Sequence, residues 1–346
     1  MAVFNHTEFD QHEQVVFCSD EATGLKAIIA VHSTALGPAV GGCRLWNYAS
    51  DEEAIRDVLR LSKGMTYKNA MAGLPIGGGK SVIIGDAKTI KSEALFRAFG
   101  RHLHRLGGSY YSAEDVNITT GDIMMVNKET PYVAGLEGKS GNPGPFTAIG
   151  TYQGIRAAAK YQFGVDSLQG LKVAIQGLGS VGFYLCEHLH KEGAELFVTD
   201  INEQAIERAV KQFGATAVAL DEIYAQDVDI YAPCALGATL NDDTIPQLNA
   251  KVVAGCANNQ LQKSRHGDML RERGILYAPD YVINAGGIIN VYMEMRPEGY
   301  NADDATAKVN QIYDTLLQIF ERADNEQKST HLVADIMAQE IIAKGK

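Results

Sequence analysis

Three side chains in the first half of the chain have the types and settings that acid–base chemistry needs. Lys68 lies in Gly64-Met65-Thr66-Tyr67-Lys68-Asn69-Ala70. Lys80 closes Gly77-Gly78-Gly79-Lys80, directly before an apolar run at 81–85 that reads as a buried strand. Three consecutive glycines cost conformational entropy and pack nothing, so they imply backbone brought close to a ligand and a next side chain placed in a cleft. Asp115 follows the short strand-like stretch 109–113, SYYSA, and α/β folds carry functional groups at strand ends. A lysine in a closed, desolvated cleft near a second cation has its pKa lowered toward neutrality, where it serves as acid or base. A neighbouring carboxylate accepts a proton. Each residue alone reads as a surface lysine or a helix-capping aspartate; the set points to chemistry.

A second constellation lies farther along. Gly177-Leu178-Gly179-Ser180-Val181-Gly182 follows the strand pattern KVAIQ and opens a helical stretch beginning at Phe183. That helix leads to a second strand pattern, ELFVT, ending at Asp200. In this setting the first glycine permits a tight turn, the second lets backbone approach a pyrophosphate, and the third allows close helix–strand packing. The helix N-terminus offers N–H groups and positive dipole to the phosphates. Asp200 is placed to accept hydrogen bonds from a ribose diol and to repel a 2′-phosphate, so the expected cofactor is NAD. His188 and His190 fall on different faces of the helix; they read as solvated, and no metal site is expected.

These residues need elements to hold them. Residues 25–31 read as a strand. Ser50-Asp51-Glu52-Glu53 resembles a capping box opening a helix with Ala54, Ile55, Val58, Leu59 and Leu61 on one face. A helix over about 92–106 carries Leu95, Phe96, Phe99, Leu103 and Leu106 as a core stripe. A glycine- and proline-rich seam at 135–145, GLEGKSGNPGP, breaks the pattern and is a hinge candidate. Beyond it come a helix near 147–161 and strands at 172–176, 195–199, 228–232, 251–255 and 275–278. Apolar strands alternating with helices imply a parallel sheet covered on both faces. Two amphipathic helices, about 303–324 and 330–343, form the tail. Two domains joined by the seam would close over a substrate and exclude water.

The chain has 346 residues, 46% of them apolar and 21% charged, which suits two folded domains and excludes a disordered chain. Its 31 basic residues against 42 acidic ones give a formal charge of −11. That balance argues against a nucleic-acid or anionic-membrane partner. No run of about 18 apolar residues suggests a membrane span. The polar, acidic first residues lack the features of a signal peptide. The five scattered cysteines fit free thiols in a reducing compartment, so a cytoplasmic location is expected.

The segments 25–44, 64–86, the Ala113-Glu114-Asp115 stretch, 140–150, 176–182, 229–245, 254–261 and 277–291 together resemble the amino acid dehydrogenase family that includes the glutamate, leucine, valine and phenylalanine dehydrogenases, over essentially the whole chain. Among its members the leucine-oxidising ones match best. The resemblance implies an α/β fold of two domains. An N-terminal substrate-binding and oligomerisation domain would span 1–134, with a hinge at 135–147. A Rossmann-like doubly wound dinucleotide-binding domain would span 148–327, and a C-terminal helix at about 328–346 would pack back on the first domain. It implies that Lys68 binds the substrate carboxylate, Lys80 is catalytic and Asp115 handles the proton on nitrogen. Cys234 and Ala235, Ala257 and Asn258, and Asn284 would contact the nicotinamide half of NAD, while Gly177 through Phe183 and Asp200 hold the rest. The glutamate enzymes carry a lysine at the position of Val40 and a serine at that of Val291. Here both are apolar, as are the neighbouring Ala113 and Ile288, so an aliphatic side-chain pocket is expected, with Gly41 and Gly42 also among the substrate-binding residues. The implied reaction is oxidative deamination of a branched-chain L-amino acid to a 2-oxo acid and ammonia by a homo-oligomer. An aromatic amino acid dehydrogenase and a non-catalytic NAD-binding sensor are the rivals. Asn117 and Ile118 replace a glycine and a threonine of the family pattern, Cys43 and Leu45 replace a threonine and a methionine, and the loop at 136–141 is shortened.

Overall fold

A computed structural model describes residues 3–136 and 140–345. The chain divides into two compact units. The first comprises 1–142, 291–301 and 338–346; the second comprises 143–290 and 302–337. The shortened loop expected at 136–141 falls largely on 137–139, outside the described residues.

The first unit is built on a five-stranded sheet of β1 (Gln14–Asp20), β2 (Leu25–Ser33), β3 (Ala39–Trp46), β4 (Gly77–Ile84) and β5 (Tyr110–Glu114), in the order β1-β2-β4-β3-β5. β1, β2 and β4 pair antiparallel, while β3 lies parallel to both β4 and β5. Helices α1 (Asp51–Met71), α2 (Ala87–Ile90), α3 (Glu93–His104) and α4 (Thr120–Asn127) connect the strands. Strand alternation sends Ile28, Ala30 and Val82 toward Val58 and Leu59 of α1, and sends Ile29, Val31 and Leu45 toward Leu95, Phe96 and Phe99 of α3. The Ser50 hydroxyl accepts from the Glu53 N–H at 3.2 Å, but the Glu53 carboxylate takes the N–H of Ala49 rather than of Ser50, so the capping box is offset by one residue at its return bond.

The triple glycine departs from the sequence expectation. Gly77, Gly78 and Gly79 lie inside β4, not before it, and packing accounts for all three. A Cβ on Gly77 would stand 2.0 Å from the Ser33 carbonyl oxygen, one on Gly78 2.0 Å from the Thr66 nitrogen of α1, and one on Gly79 2.6 Å from the Tyr110 ring. Bare backbone here lets α1 lie directly on the sheet. β1 and β3 escape the sequence patterns because β1 is an edge strand that buries only Cys18, and β3 is interrupted by Gly41-Gly42.

The second unit carries a six-stranded sheet of β6 (Lys172–Gln176), β7 (Glu195–Thr199), β8 (Thr216–Ala217), β9 (Ile230–Pro233), β10 (Val252–Val253) and β11 (Leu276–Tyr277), ordered β11-β10-β9-β6-β7-β8 with every pair parallel. Counted along the chain this is the doubly wound order, with the direction of winding reversing between β6 and β9. Helices α5 (Gly144–Phe163), α6 (Ser180–Lys191), α7 (Glu203–Phe213), α8 (Arg265–Glu272), α9 (Asp280–Ile283), α10 (Gly286–Glu294), α11 (Ala302–Asn310), α12 (Ile312–Glu326) and α13 (Thr330–Lys344) complete the chain. The hinge stretch therefore ends earlier than its glycines suggest, since α5 begins at Gly144 with Pro145 in its first turn, where proline is tolerated. The single tail helix read at 303–324 is two helices, α11 and α12. His188 is half-buried and stacks on Tyr152 with centroids 5.3 Å apart, so it is only partly solvated; His190 is exposed as expected. No helix among the described residues is long and apolar enough to cross a membrane.

Candidate active site

Register alone brings the first constellation together. Gly42 of β3 lies between Lys80 of β4 and Ala113 of β5, and Val40, Gly42 and Arg44 share one face of β3. A Cβ on Gly42 would meet the Glu114 carbonyl oxygen at 2.6 Å and the Asp115 Cβ at 2.8 Å; one on Gly41 would sit 1.9 Å from the Gly79 oxygen. The bare position at Gly42 clears the space across which Lys80 reaches Asp115, Nζ to Oδ2, at 2.7 Å. The Lys80 side chain is 8% exposed and that of Asp115 23%, so the pair is largely desolvated yet open on one side.

Backbone bonds fix the loop that carries Asp115. Leu45 N–H donates to the Val116 carbonyl at 3.0 Å, and the Asn117 side chain donates to the Leu45 carbonyl at 3.0 Å. Asn117 takes φ +58°, a conformation asparagine tolerates well, which explains how it serves where the family pattern has glycine. Cys43 and Leu45 face the opposite core, so those two departures lie behind the sheet, away from Lys80.

Sequence reading missed the charges behind the pair. Arg44 sends Nε to the same Asp115 oxygen at 3.3 Å and Nη1 to Asp57 of α1 at 2.9 Å, and the Tyr48 hydroxyl donates to that Asp57 oxygen at 2.7 Å. The glycine pair hides the strand that carries Arg44, and with it the alignment of Arg44 on Asp115. Burial pushes the Asp115 carboxyl up, but the Lys80 ammonium and the Arg44 guanidinium outweigh it and hold it down at about 2. Lys68 stands half-buried in the last turn of α1, the helix whose Thr66 presses on Gly78. Val40 is fully buried, Ala113 is 7% and Val291 8% exposed, all in the first unit; Ile288 belongs to the second. Glu294, also missed, gathers the N–H groups of Gly135 and Leu136 and the Ser140 hydroxyl, tying both flanks of the seam to the end of α10. Gln339 of α13 donates to the Tyr67 hydroxyl at 2.8 Å.

In the second unit Gln176 is paired with both Thr199 and Pro233. Gly177, Asp200 and Cys234 therefore emerge side by side from the C-terminal ends of three neighbouring strands, at the point where the winding reverses. The three motif glycines have three different causes. Gly177 takes φ +105° and lies against Ala235, where a Cβ would stand 2.7 Å from the Ala235 Cβ; Gly182 packs on the Gly177 oxygen, 2.0 Å from where its Cβ would be. Gly179 has an ordinary φ of −68°, and no described atom lies within 4 Å of its Cβ position. Neither conformation nor packing requires glycine here, which leaves the backbone open to close approach by a ligand. Gly179 also caps α6 without any side-chain cap bond, leaving the first-turn N–H groups of Ser180, Val181 and Gly182 for an anion. Phe183 is buried behind that turn under the Arg208 guanidinium.

Asp200 accepts from Leu178 N–H at 2.6 Å and from Asn202 N–H at 2.8 Å, so its first task is to brace the glycine loop. Beyond β9 and β10, Ala238 and Asn259 both adopt positive φ, +58° and +53°, and are joined by an Ala238 N–H to Asn259 carbonyl bond. Held strain of this kind collects at ligand sites. Asn284 donates to the Asn258 side chain at 2.7 Å and to the Cys256 carbonyl at 3.1 Å, and Ala257 is buried beside them. The Asn284 Oδ1 is itself buried and accepts from no described residue. A dinucleotide fits these residues: phosphates at Gly179 and the open end of α6, a ribose at Asp200, and a carboxamide-bearing ring near Asn284.

Residues 12–135 match the Glu/Leu/Phe/Val dehydrogenase dimerisation domain, and residues 195–345 match the Glutamate/Leucine/Phenylalanine/Valine dehydrogenase domain. The chain is 56% identical over 349 residues to a leucine dehydrogenase of Bacillus cereus, covering 100% of this chain and 95% of that one. It is 50% identical over 341 residues to a valine dehydrogenase of Streptomyces virginiae, covering 97% and 95%. The crystal structure of L-tryptophan dehydrogenase from Nostoc punctiforme superposes with a TM-score of 0.86 at 48% identity, covering 97% of each chain. With the buried Lys80–Asp115 ion pair on one sheet, a glycine-rich turn at the switch point of the other, and these matches along its length, this chain belongs to the glutamate/leucine/phenylalanine/valine dehydrogenase family.

Proposed function

We propose that the chain catalyses the reversible, NAD-dependent oxidative deamination of branched-chain L-amino acids, leucine with isoleucine and valine, to the 2-oxo acid and ammonia. The observation that carries this reading is the desolvated Lys80–Asp115 pair, set across a position only glycine can occupy, in a chain 56% identical along its length to a leucine dehydrogenase. A bound nicotinamide supplies the acceptor for the hydride that leaves Cα. The rest falls to side chains. Lys68 pairs with the substrate carboxylate and Gly41 and Gly42 let it approach the sheet. Asp115, held as an anion, receives the substrate ammonium and takes its proton once the substrate has drawn it away from Lys80. Lys80, released, transfers protons as water adds to the imine carbon and ammonia departs.

Val40, Ala113 and Val291, all buried in the first unit, give the substrate side chain apolar surroundings. A γ-carboxylate there would be a buried charge without a partner, costing several kcal/mol. Each fitted methylene contributes about 1–3 kcal/mol to selection. Asp200 disfavours a 2′-phosphate by ~2–4 kcal/mol through like charge and lost ribose hydrogen bonds, so NAD is preferred to NADP. The free state of all five cysteines fits a cytoplasmic enzyme, and the matched dimerisation domain fits a homo-oligomer. The 48% identity to L-tryptophan dehydrogenase supports one second reading, an aromatic substrate. The test is kcat/KM for leucine, isoleucine, valine, phenylalanine, tryptophan and glutamate, followed by NADH absorbance and repeated with NADP. The branched-chain three should lead, with glutamate far behind. An aromatic lead would replace the substrate, and no turnover of any would sink the enzyme reading in favour of an NAD-binding sensor.

A further inference from the structure

Behind the Lys80–Asp115 pair lies a layer of charge that the steps above do not use. Arg44 projects from β3 on the same face as Gly42 and forks between two carboxylates, Asp115 at 3.3 Å and Asp57 of α1 at 2.9 Å. Asp57 is itself fixed, by the Tyr48 hydroxyl at 2.7 Å on one oxygen and by Arg60 at 3.8 Å on the other. We propose that Arg44, anchored from behind by Asp57 and Tyr48, is a positioning residue that holds the Asp115 carboxylate in place and ionised while Lys80 leaves it during the reaction. The inference rests on the amino acid dehydrogenase reading given above.

The physical case is as follows. Lys80 and Arg44 converge on the same oxygen, Oδ2. When substrate enters and Lys80 turns to its own proton transfers, Asp115 loses its nearest cation. Without a second, fixed cation the carboxylate would be free to rotate and, in a site this enclosed, to take up a proton from solvent. A guanidinium stays charged at every working pH, and its planar fork, gripped on the Asp57 side, keeps its other edge aimed at Asp115. Arg44 is 22% exposed, so its charge is only weakly screened. The groups that face Asp115 are Lys80 from β4, Arg44 from β3 with Asp57, Arg60 and Tyr48 behind it, and Glu114 from its own strand, whose carboxylate is occupied by the Thr120 hydroxyl at 3.0 Å. Arg44 is the fixed cation of this set in direct contact with Asp115.

The test compares Arg44→Gln, Arg44→Lys and Asp57→Asn with the wild type, using leucine and NAD over pH 5–10. Arg44→Gln is expected to lower kcat by about 10- to 100-fold and to move upward, by about one pH unit, the acidic limb of kcat, which reports the substrate complex in which Lys80 has left Asp115. Arg44→Lys keeps the charge but not the fork, so its acidic limb stays near the wild-type position while kcat recovers only in part. Asp57→Asn retains Arg44 and loosens its anchor. It should lower kcat several-fold without an upward shift of the limb, and it stands in if Arg44→Gln does not fold. A 13C-detected titration of the Asp115 carboxyl in the free protein needs no turnover, so it separates failure of this inference from failure of the proposed reaction. The Asp115 resonance should titrate at higher pH in Arg44→Gln than in the wild type. An unchanged acidic limb and an unchanged Asp115 titration, or equal loss in all three variants with no shift in any, would overturn the assignment.

Discussion

Gly179 and Gly182 belong to one motif, yet the structure assigns them opposite sensitivities, and alanine at each position separates binding from folding. At Gly179 the backbone is extended, with φ −68° and ψ −162°, which alanine adopts without strain, and no described atom lies within 4 Å of the added methyl. Gly179→Ala should therefore leave the fold intact. It should even stabilise it by about 0.4–1 kcal/mol by restricting the unfolded chain, a rise in Tm of about 1–3 °C for a unit of this size. In the proposed cofactor site, the methyl instead occupies the space where a pyrophosphate would meet the backbone. A displacement there should weaken NAD about 10- to 100-fold, or roughly 1.4–2.8 kcal/mol. At Gly182 the same methyl would lie 2.0 Å from the Gly177 carbonyl oxygen, well inside contact distance, so α6 must move off β6. Gly182→Ala should lose several degrees of Tm, or fail to fold. Thermal denaturation and titration of NAD by quenching or calorimetry read both quantities. A Gly179→Ala variant that melts well below the wild type, or one that binds NAD with unchanged affinity, would refute the assignment of that position to the ligand.

Lys80→Ala should lower kcat by ~10²–10⁴, the range for a lost acid–base group, with the protein still folded by circular dichroism; near wild-type kcat would remove Lys80 from the chemistry. The Asp115 carboxyl is held at about 2, below its ordinary value near 4, so the unfolded chain takes up its proton first as pH falls. Its contribution, about 2 kcal/mol, is complete above pH 4 and lost toward pH 2; urea midpoints across that range should fall less steeply in Asp115→Asn. His32 is buried against Thr66, at 2.8 Å, and against the His12 ring, and burial holds its pKa down at about 4. Its neutral form stabilises the fold fully above pH 6.5 and progressively less down to pH 4, by up to about 3 kcal/mol. His32→Gln should flatten that slope, and an unchanged slope would show that another group sets it.

Much of the candidate nucleotide site was legible in the sequence because its signals are local. β6 and β7 occupy 172–176 and 195–199 as read, since short β-branched and apolar runs bounded by glycine and a charged residue have few other solutions. Gly177, Gly182 and Asp200 fall where the motif places them, although Asp200 turns out to brace Leu178 as well. The first unit was less legible, because its site is made by register between strands far apart in the chain. Arg44 meets Asp115 across 71 positions, and β3, which aligns them, contains two glycines that hide its strand pattern. The triple glycine misled for a related reason. A bare backbone stretch looks the same in sequence whether a ligand or the protein itself lies on it, and here Ser33, Thr66 of α1 and Tyr110 do. Glu294 was equally unreadable, because its partners are backbone N–H groups more than 150 positions away.

The most direct test of the central claim is to follow the α-hydrogen. Leucine deuterated at Cα would be incubated with NAD and the protein, and the reduced cofactor and the oxo acid analysed by mass spectrometry. The expected result is one deuterium in each reduced nicotinamide and one 2-oxo acid and one ammonium formed per NADH, with steady-state turnover in Lys80→Ala slower by ~10²–10⁴. Reduced cofactor without deuterium, or no oxo acid despite NAD binding, would contradict it.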